Sequence, residues 1–144
     1  RKPSIHKKFK ISNAAGTAEL LLRKKCFEEV ANDYNENLTI ITAGKIPPNP
    51  SEMLASRAMT AFIKEMKEEF KYIILDTPPL QAVTDAQVLS TKADGVLLVV
   101  RAGSTKKELV SNSVDLIKKV HGKVIGTVLN GVENKKNNYY YYGE

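Results

Sequence analysis

Four short apolar runs do most to constrain the fold of this chain. They are rich in β-branched or aliphatic residues, do not alternate cleanly with polar ones, and comprise Leu38–Ala43, Tyr72–Leu75, Val96–Val100 and Val124–Leu129. Continuous runs of this kind are typical of strands that are buried on both faces of a parallel sheet. The sequence therefore predicts four strands of one mostly parallel sheet.

Helical patterns lie between these runs. Asn49 can cap a helix that begins at Pro50 and carries Glu52 three residues after the cap. The predicted apolar face of this helix consists of Leu54, Ala58, Ala61, Phe62 and Met66. Strands that alternate with helices predict a doubly wound α/β fold with helices on both faces of the sheet.

Three further helices are predicted. Thr105–Glu108 has capping-box spacing and precedes a stripe formed by Val110, Val114, Ile117 and His121. Shorter helices are expected over Asp85–Thr91 and Thr17–Leu22, and an extension of the latter into Arg23–Val30 is left open.

Charge and residue counts exclude several classes of protein. The net charge of +6 arises from short Lys/Arg clusters, which are either solvated faces or attractive to phosphate groups, an acidic partner or the inner membrane leaflet. No nucleic-acid-binding motif is present. Cys26 is the single cysteine, which excludes an internal disulfide, and the distant pair His6 and His121 does not suggest a zinc site. No run of about 18 apolar residues occurs.

The strongest chemical signal is Asp76, which ends an apolar run and precedes Thr77, Pro78 and Pro79. Ligands bind at the carboxyl ends of parallel strands, and an aspartate there can hold Mg²⁺ beside nucleotide phosphates, as the Walker B residue does. The alternative is an aspartate that only caps a turn. The segment Ala43–Glu52 is interpreted as a strand end, a rigid proline loop and a capped helix.

The end of the chain differs from the rest. Residues 133–144 (Glu133–Glu144) show no apolar periodicity and are expected to form a flexible, tyrosine-rich tail after a domain at 1–132. The tail carries four consecutive tyrosines, Tyr139, Tyr140, Tyr141 and Tyr142. They are either modification sites or an adventitious low-complexity end.

Together these motifs resemble the bacterial tyrosine kinases of the capsule and exopolysaccharide type. Arg1-Lys2-Pro3 is similar to the end of that family's Walker A′ motif, Gly44–Glu52 to its Gly-x-x-Pro-Pro-Asn-Pro-x-Glu stretch, Tyr72–Pro79 to its Walker B, and Tyr139–Tyr142 to its tyrosine cluster. Gly95–Gly103 and Gly126–Asn130 also resemble its late strands. The resemblance implies a P-loop NTPase fold of the deviant-Walker type. It further implies that the chain is the C-terminal part of the kinase domain, without Walker A, and that its sheet is incomplete on the N-terminal side.

The resemblance also implies a mechanism. ATP and Mg²⁺ are the implied cofactors, Asp76 the metal-binding and catalytic carboxylate, and Asn130 and Arg101 nucleotide-binding residues. Tyr139–Tyr142 are the implied phosphorylation sites, in preference to Tyr34 and to Tyr72, which is expected to be buried.

The implied partners are a transmembrane activator, neighbouring kinase subunits and a cognate phosphotyrosine phosphatase, with no nucleic acid. The implied location is cytoplasmic, at the inner face of the membrane through the activator. The 144-residue chain alone is expected to be inactive. The alternatives are a deviant-Walker partition or division-site ATPase, and an interaction module without a P-loop.

Overall fold

The computed structural model describes residues 2–133. Helices and short strands alternate along this part of the chain in the order α1 (Ile5–Phe9), α2 (Thr17–Leu21), α3 (Phe27–Val30), β1 (Ala31–Asn35), β2 (Leu38–Ile41), α4 (Pro50–Ala55), α5 (Arg57–Glu69), α6 (Asp85–Ser90), β3 (Val96–Arg101), α7 (Lys107–Lys119) and β4 (Val124–Asn130).

The C-terminal strands form the parallel unit that the sequence predicts. β3 and β4 pair in parallel, and α7 crosses between them. Their register places Val99 beside Val128 and Arg101 beside Asn130. The prediction of strands over Val96–Val100 and Val124–Leu129 is confirmed by β3 and β4.

The N-terminal strands form an antiparallel hairpin instead. β1 pairs with β2, and the register shifts between Asp33 and Asn35. The assignment of Leu38–Ala43 to the parallel sheet is therefore wrong, because β2 is the second strand of this hairpin and ends at Ile41. Sequence reasoning missed β1 since its residues, ANDYN, are mostly polar.

The segment Tyr72–Leu75 also departs from its prediction. It forms no ladder with any strand within residues 2–133. Its side chains are not buried on both faces, since Tyr72 is 78% and Ile74 90% exposed. The four apolar runs thus do not make one continuous sheet. This agrees with the expectation of an incomplete sheet.

The proline-rich segment is followed by two helices instead of the single predicted helix. Ser56 interrupts the helical run with an extended backbone, and its Oγ accepts a hydrogen bond of 3.2 Å from the Met59 N–H, which caps α5. The Asn49 side chain does not cap α4 and instead donates to the Glu52 carboxylate at 2.5 Å. The helix was predicted in the right place, but its cap and its continuity were wrong.

The remaining helices match their predictions more closely. α6 and α2 confirm the two short helices, and α3 is separated from α2 by a turn. The capping box predicted at Thr105 does not form in α7, because the Thr105 Oγ accepts from the Arg101 N–H at 3.1 Å. His121 lies beyond the end of α7 with a positive φ of 60°.

A small apolar core joins the helices. Leu21, Met59, Ile63 and Leu89 form its buried centre, and the partly buried Leu75 packs against them. Several apolar side chains of β3 and β4 are much less buried. More than half of the surface is exposed in Leu97, Val99, Ile125 and Leu129. Among the described helices, none has the length and apolar character needed to span a membrane.

Candidate functional site

Asp76 lies at a point where the chain leaves the core. Leu75 packs against the buried cluster, whereas Asp76 is exposed immediately after it. Within residues 2–133, no hydrogen bond or ion pair engages the Asp76 carboxylate. The side chain is therefore accessible to a cation, and its backbone is anchored through its apolar neighbour.

The loop that follows Asp76 is tied to two helices. The Ala82 N–H donates to the Pro79 carbonyl at 3.0 Å and closes a turn. The Gln81 side-chain amide donates to the Leu109 carbonyl in the first turn of α7 at 2.8 Å. These bonds connect the Asp76 loop to the helix that follows β3.

The end of the same loop is held by α4. The Ser51 Oγ donates to the buried Asp85 carboxylate at 2.7 Å, and Asp85 is the first residue of α6. Sequence reasoning did not identify this bond, because it joins residues 34 positions apart and no local pattern pairs them.

Arg101 and Asn130 lie side by side at the carboxyl ends of the two parallel strands. They are register partners, and the Ala102 N–H donates to the Asn130 carbonyl at 2.8 Å. The Asn130 Oδ1 accepts from the Gly131 N–H at 2.8 Å, which orients the side-chain amide. Both side chains are exposed. The structure therefore brings together the two predicted nucleotide-binding residues, while Asp76 lies on a separate segment.

The described part of the chain offers one carboxylate at this site, not a cluster. Residues 2–133 contain no group of three or more His, Cys, Asp or Glu side chains that could hold a metal ion. Mg²⁺ commonly binds through one or two carboxylates and completes its shell with water and substrate phosphates. A single accessible aspartate therefore fits a magnesium–nucleotide complex and does not fit a metal cage made by the protein.

The predicted tyrosine sites are only partly described. Tyr139–Tyr142 lie outside the described residues. The prediction that Tyr72 is buried is wrong, because its side chain is 78% exposed. Tyr34 is 54% exposed. Burial therefore does not shield either tyrosine in this structure.

A second polar network holds the start of the proline loop, and sequence reasoning missed it. The Asn13 side-chain amide pairs with the Gly44 backbone, donating to its carbonyl at 3.0 Å and accepting from its N–H at 3.1 Å. The Glu19 carboxylate accepts from the N–H groups of Gly16 at 2.9 Å and Lys45 at 3.3 Å. Two local signals exist within this network: Glu19 has capping-box spacing from Gly16 at the start of α2, and Gly44 is a glycine with a φ of 73°.

The clearest electrostatic perturbations lie away from Asp76. The Lys25 ammonium donates a hydrogen bond to Glu29 and lowers the pKa of that carboxyl to about 2. The hydrogen bond with Glu28 raises the pKa of the Cys26 thiol. A cavity of about 510 Å³ adjoins these residues, and Asp76, Arg101 and Asn130 do not line it.

Comparison with solved structures defines the class of protein. The chain superposes on the kinase domain of the Escherichia coli tyrosine kinase ETK with a TM-score of 0.90 at 32% identity, covering 100% of this chain and 57% of that one. The VpsO kinase domain gives a TM-score of 0.86 at 31% identity, covering 92% of this chain and 66% of the other. The fold is that of a bacterial tyrosine kinase domain, which confirms the predicted α/β P-loop NTPase class.

Comparison with curated proteins identifies homologues of this chain. The chain is 38% identical to the tyrosine-protein kinase YwqD of Bacillus subtilis over 145 residues, and 39% identical to the putative tyrosine-protein kinase CapB of Staphylococcus aureus over 147 residues. These homologues are bacterial tyrosine-protein kinases. The match covers 99% and 100% of this chain but only 61% and 64% of these two relatives. No protein-family model matches the sequence.

Proposed function

We propose that the complete protein is an ATP-dependent protein-tyrosine autokinase that regulates capsule or exopolysaccharide synthesis and export. The observation that carries this proposal is the accessible Asp76 carboxylate, placed after an apolar segment in a chain that aligns along nearly its whole length with tyrosine kinases. The relatives reported above are named as tyrosine kinases, which favours a kinase over a partition ATPase.

The proposed site divides the work between two parts of the chain. Asp76 would hold Mg²⁺, which neutralises the charge that develops on the transferring phosphoryl group. Arg101 and Asn130 would bind the nucleotide, because their exposed side chains share the carboxyl edge of the parallel strands. The Gln81–Leu109 hydrogen bond supports this division, since it joins the Asp76 loop to the helix that follows Arg101.

The proposed acceptors are the tail tyrosines, Tyr139–Tyr142, of a neighbouring subunit. Each transferred phosphate adds about −1.5 to −2 charges at neutral pH. Several phosphates on one tail would repel each other and weaken its docking at an anionic, nucleotide-loaded site. The modified tail would then leave, and a cognate phosphotyrosine phosphatase would restore it.

The proposed partners follow from the family resemblance. A transmembrane activator would hold the kinase at the cytoplasmic face of the membrane and promote contact between neighbouring subunits. The basic clusters of the chain support such a location, because anionic lipid surfaces attract lysine and arginine.

The test is Asp76→Asn in the complete protein, with Asp115→Asn as the matched control. Asparagine keeps the shape of the side chain but removes the charge that binds Mg²⁺. We expect tyrosine autophosphorylation to fall by about 10²-fold or more, the usual scale for loss of one electrostatic stabiliser. Asp115 is exposed on α7, so its substitution should leave the rate unchanged. A normal rate for Asp76→Asn would show that Asp76 is only a turn residue.

A further inference from the structure

Tyr34 occupies an unusual position in the hairpin. Asp33 pairs with Thr39 and Asn35 pairs with Leu38, so Tyr34 is the extra residue where the register shifts. A β-bulge of this kind leaves one residue unpaired and redirects its side chain. The flanking residues are fixed, because the Thr39 Oγ donates to the Asp33 carboxylate at 2.6 Å and the Asn37 N–H donates to the Asn35 side chain at 2.9 Å. The bulge therefore presents Tyr34 from a well-defined turn.

The Tyr34 ring is supported on one side only. Phe9 meets it edge to face, with the ring centroids 5.0 Å apart and the planes at 86°. The side chain is still 54% exposed, and within residues 2–133 no hydrogen bond engages its hydroxyl. An oriented phenol with a free hydroxyl can enter the site of another protein without local unfolding.

The surroundings of Tyr34 share asparagines and neighbouring lysines with the tail, and they add the acidic residues Asp33 and Glu36. In the tail, Lys135-Lys136 and Asn137-Asn138 precede the tyrosines. In the hairpin, Asn32 and Asn35 lie close to Tyr34 along the strand. The lysines are supplied by α1 and its cap, where Lys8 and Lys10 flank Phe9, the residue in contact with Tyr34. A kinase that accepts the tail would therefore meet similar chemistry at the hairpin.

We propose that Tyr34 is a second phosphorylation site of this protein, modified by a subunit of the same kind. This inference rests on the proposed kinase function. The Tyr34 hydroxyl oxygen would attack the γ-phosphorus of ATP, the bond from that phosphorus to its bridging oxygen would break, and ADP would leave. The phenolic proton passes to a base of the modifying subunit.

The modification has a local consequence. The new phosphate carries about −1.5 to −2 charges and lies next to a helix whose residues Lys7, Lys8 and Lys10 are all exposed. Charge-assisted hydrogen bonds from these lysines would fasten α1 to the hairpin. Phosphorylated Tyr34 therefore stabilises the N-terminal segment, whereas phosphate on the tail acts by repulsion.

The experiment uses this chain with all four tail tyrosines replaced by phenylalanine. It is incubated with ATP, Mg²⁺ and an active preparation of the relative YwqD, and the phosphopeptides are mapped. We expect one labelled site, Tyr34, whose label disappears in Tyr34→Phe and persists in the matched control Tyr72→Phe. Labelling of the unsubstituted tail without labelling of Tyr34 would overturn the proposal.

A second measurement tests the coupling to α1. Phosphorylation should raise the melting temperature at low ionic strength by about 2–4 °C. The rise should vanish when Lys7, Lys8 and Lys10 are replaced by glutamine. An unchanged melting temperature in the labelled chain would refute the coupling to α1. The added kinase supplies the activity in this experiment. The result for Tyr34 therefore does not depend on whether the complete protein is itself a kinase.

Discussion

Gly44→Ala should destabilise the chain strongly, because two independent constraints meet at this residue. Its φ of 73° lies in the left-handed region that L-residues avoid. A Cβ at this position would overlap the Glu19 carboxylate and lie 2.8 Å from the Gly16 backbone nitrogen. The Glu19 carboxylate cannot move aside freely, since it accepts hydrogen bonds from the N–H groups of Gly16 and Lys45.

The magnitude follows from these two constraints. The left-handed backbone costs an alanine about 1–2 kcal/mol. Displacement of the Glu19 carboxylate would lose two hydrogen bonds, each with a net value of about 0.5–1.5 kcal/mol. We therefore expect a loss of about 2–5 kcal/mol, which is a large part of the roughly 5–15 kcal/mol that stabilises a typical domain.

The assay is urea unfolding of this chain followed by circular dichroism, with Gly103→Ala as the matched control. Gly103 has a similar φ of 68°, but a Cβ there would meet nothing within 4 Å. The control should lose about 1 kcal/mol, from the backbone alone. Equal losses for the two variants would refute the argument from the Glu19 contact. In a Glu19→Ala background, the cost of Gly44→Ala should fall, and the cost of the left-handed backbone and of the contact with the Gly16 nitrogen should remain.

Three further outcomes are expected. His121→Gly should raise the free energy of unfolding by about 0.5–1 kcal/mol, because glycine relieves the positive φ after α7, and an unchanged urea midpoint would contradict this. Glu28→Gln should speed alkylation of Cys26 by iodoacetamide at pH 8, since the hydrogen bond with Glu28 raises the pKa of the thiol and reduces the thiolate fraction; equal rates would argue against that bond. The 144-residue chain alone should bind Mg²⁺–ATP weakly in calorimetry, because its sequence contains no glycine-rich loop ending in Gly-Lys-Ser/Thr, and tight binding would be the opposing result.

The elements that the sequence predicts best are those whose burial is determined locally. α7 shows a helical period, and β3 and β4 are continuous runs of branched residues, so neighbouring positions suffice to identify them. The hairpin was missed because β1 is polar and is held by pairing with β2, which no local pattern reports. Sequence reasoning placed Ser56 inside one long helix, because the helical pattern does not show that its hydroxyl caps the next turn.

The candidate site likewise has features that the sequence predicts and features that it does not. The pairing of Arg101 with Asn130 could be anticipated, since two parallel strands of similar length end together. The exposure of Tyr72 and Ile74 could not be anticipated. Burial of a strand requires neighbouring strands, and none pairs with this segment among the described residues. The bonds from Gln81 and Ser51 could not be predicted either, since each joins residues about 30 positions apart in the sequence.

The separation of the two small sheets affects how the molecule opens. No ladder links the hairpin to the parallel pair within residues 2–133, so strand hydrogen bonds cannot spread cooperativity from one sheet to the other. The coupling therefore depends on the apolar core that joins the helices and on side-chain hydrogen bonds such as Ser51 to Asp85 and Lys92 to Thr60. Amide exchange should therefore separate into two blocks, with β1 and β2 protected to a different extent from β3 and β4. Ser51→Ala should widen that difference, because it removes one of the bonds that make the two blocks open together.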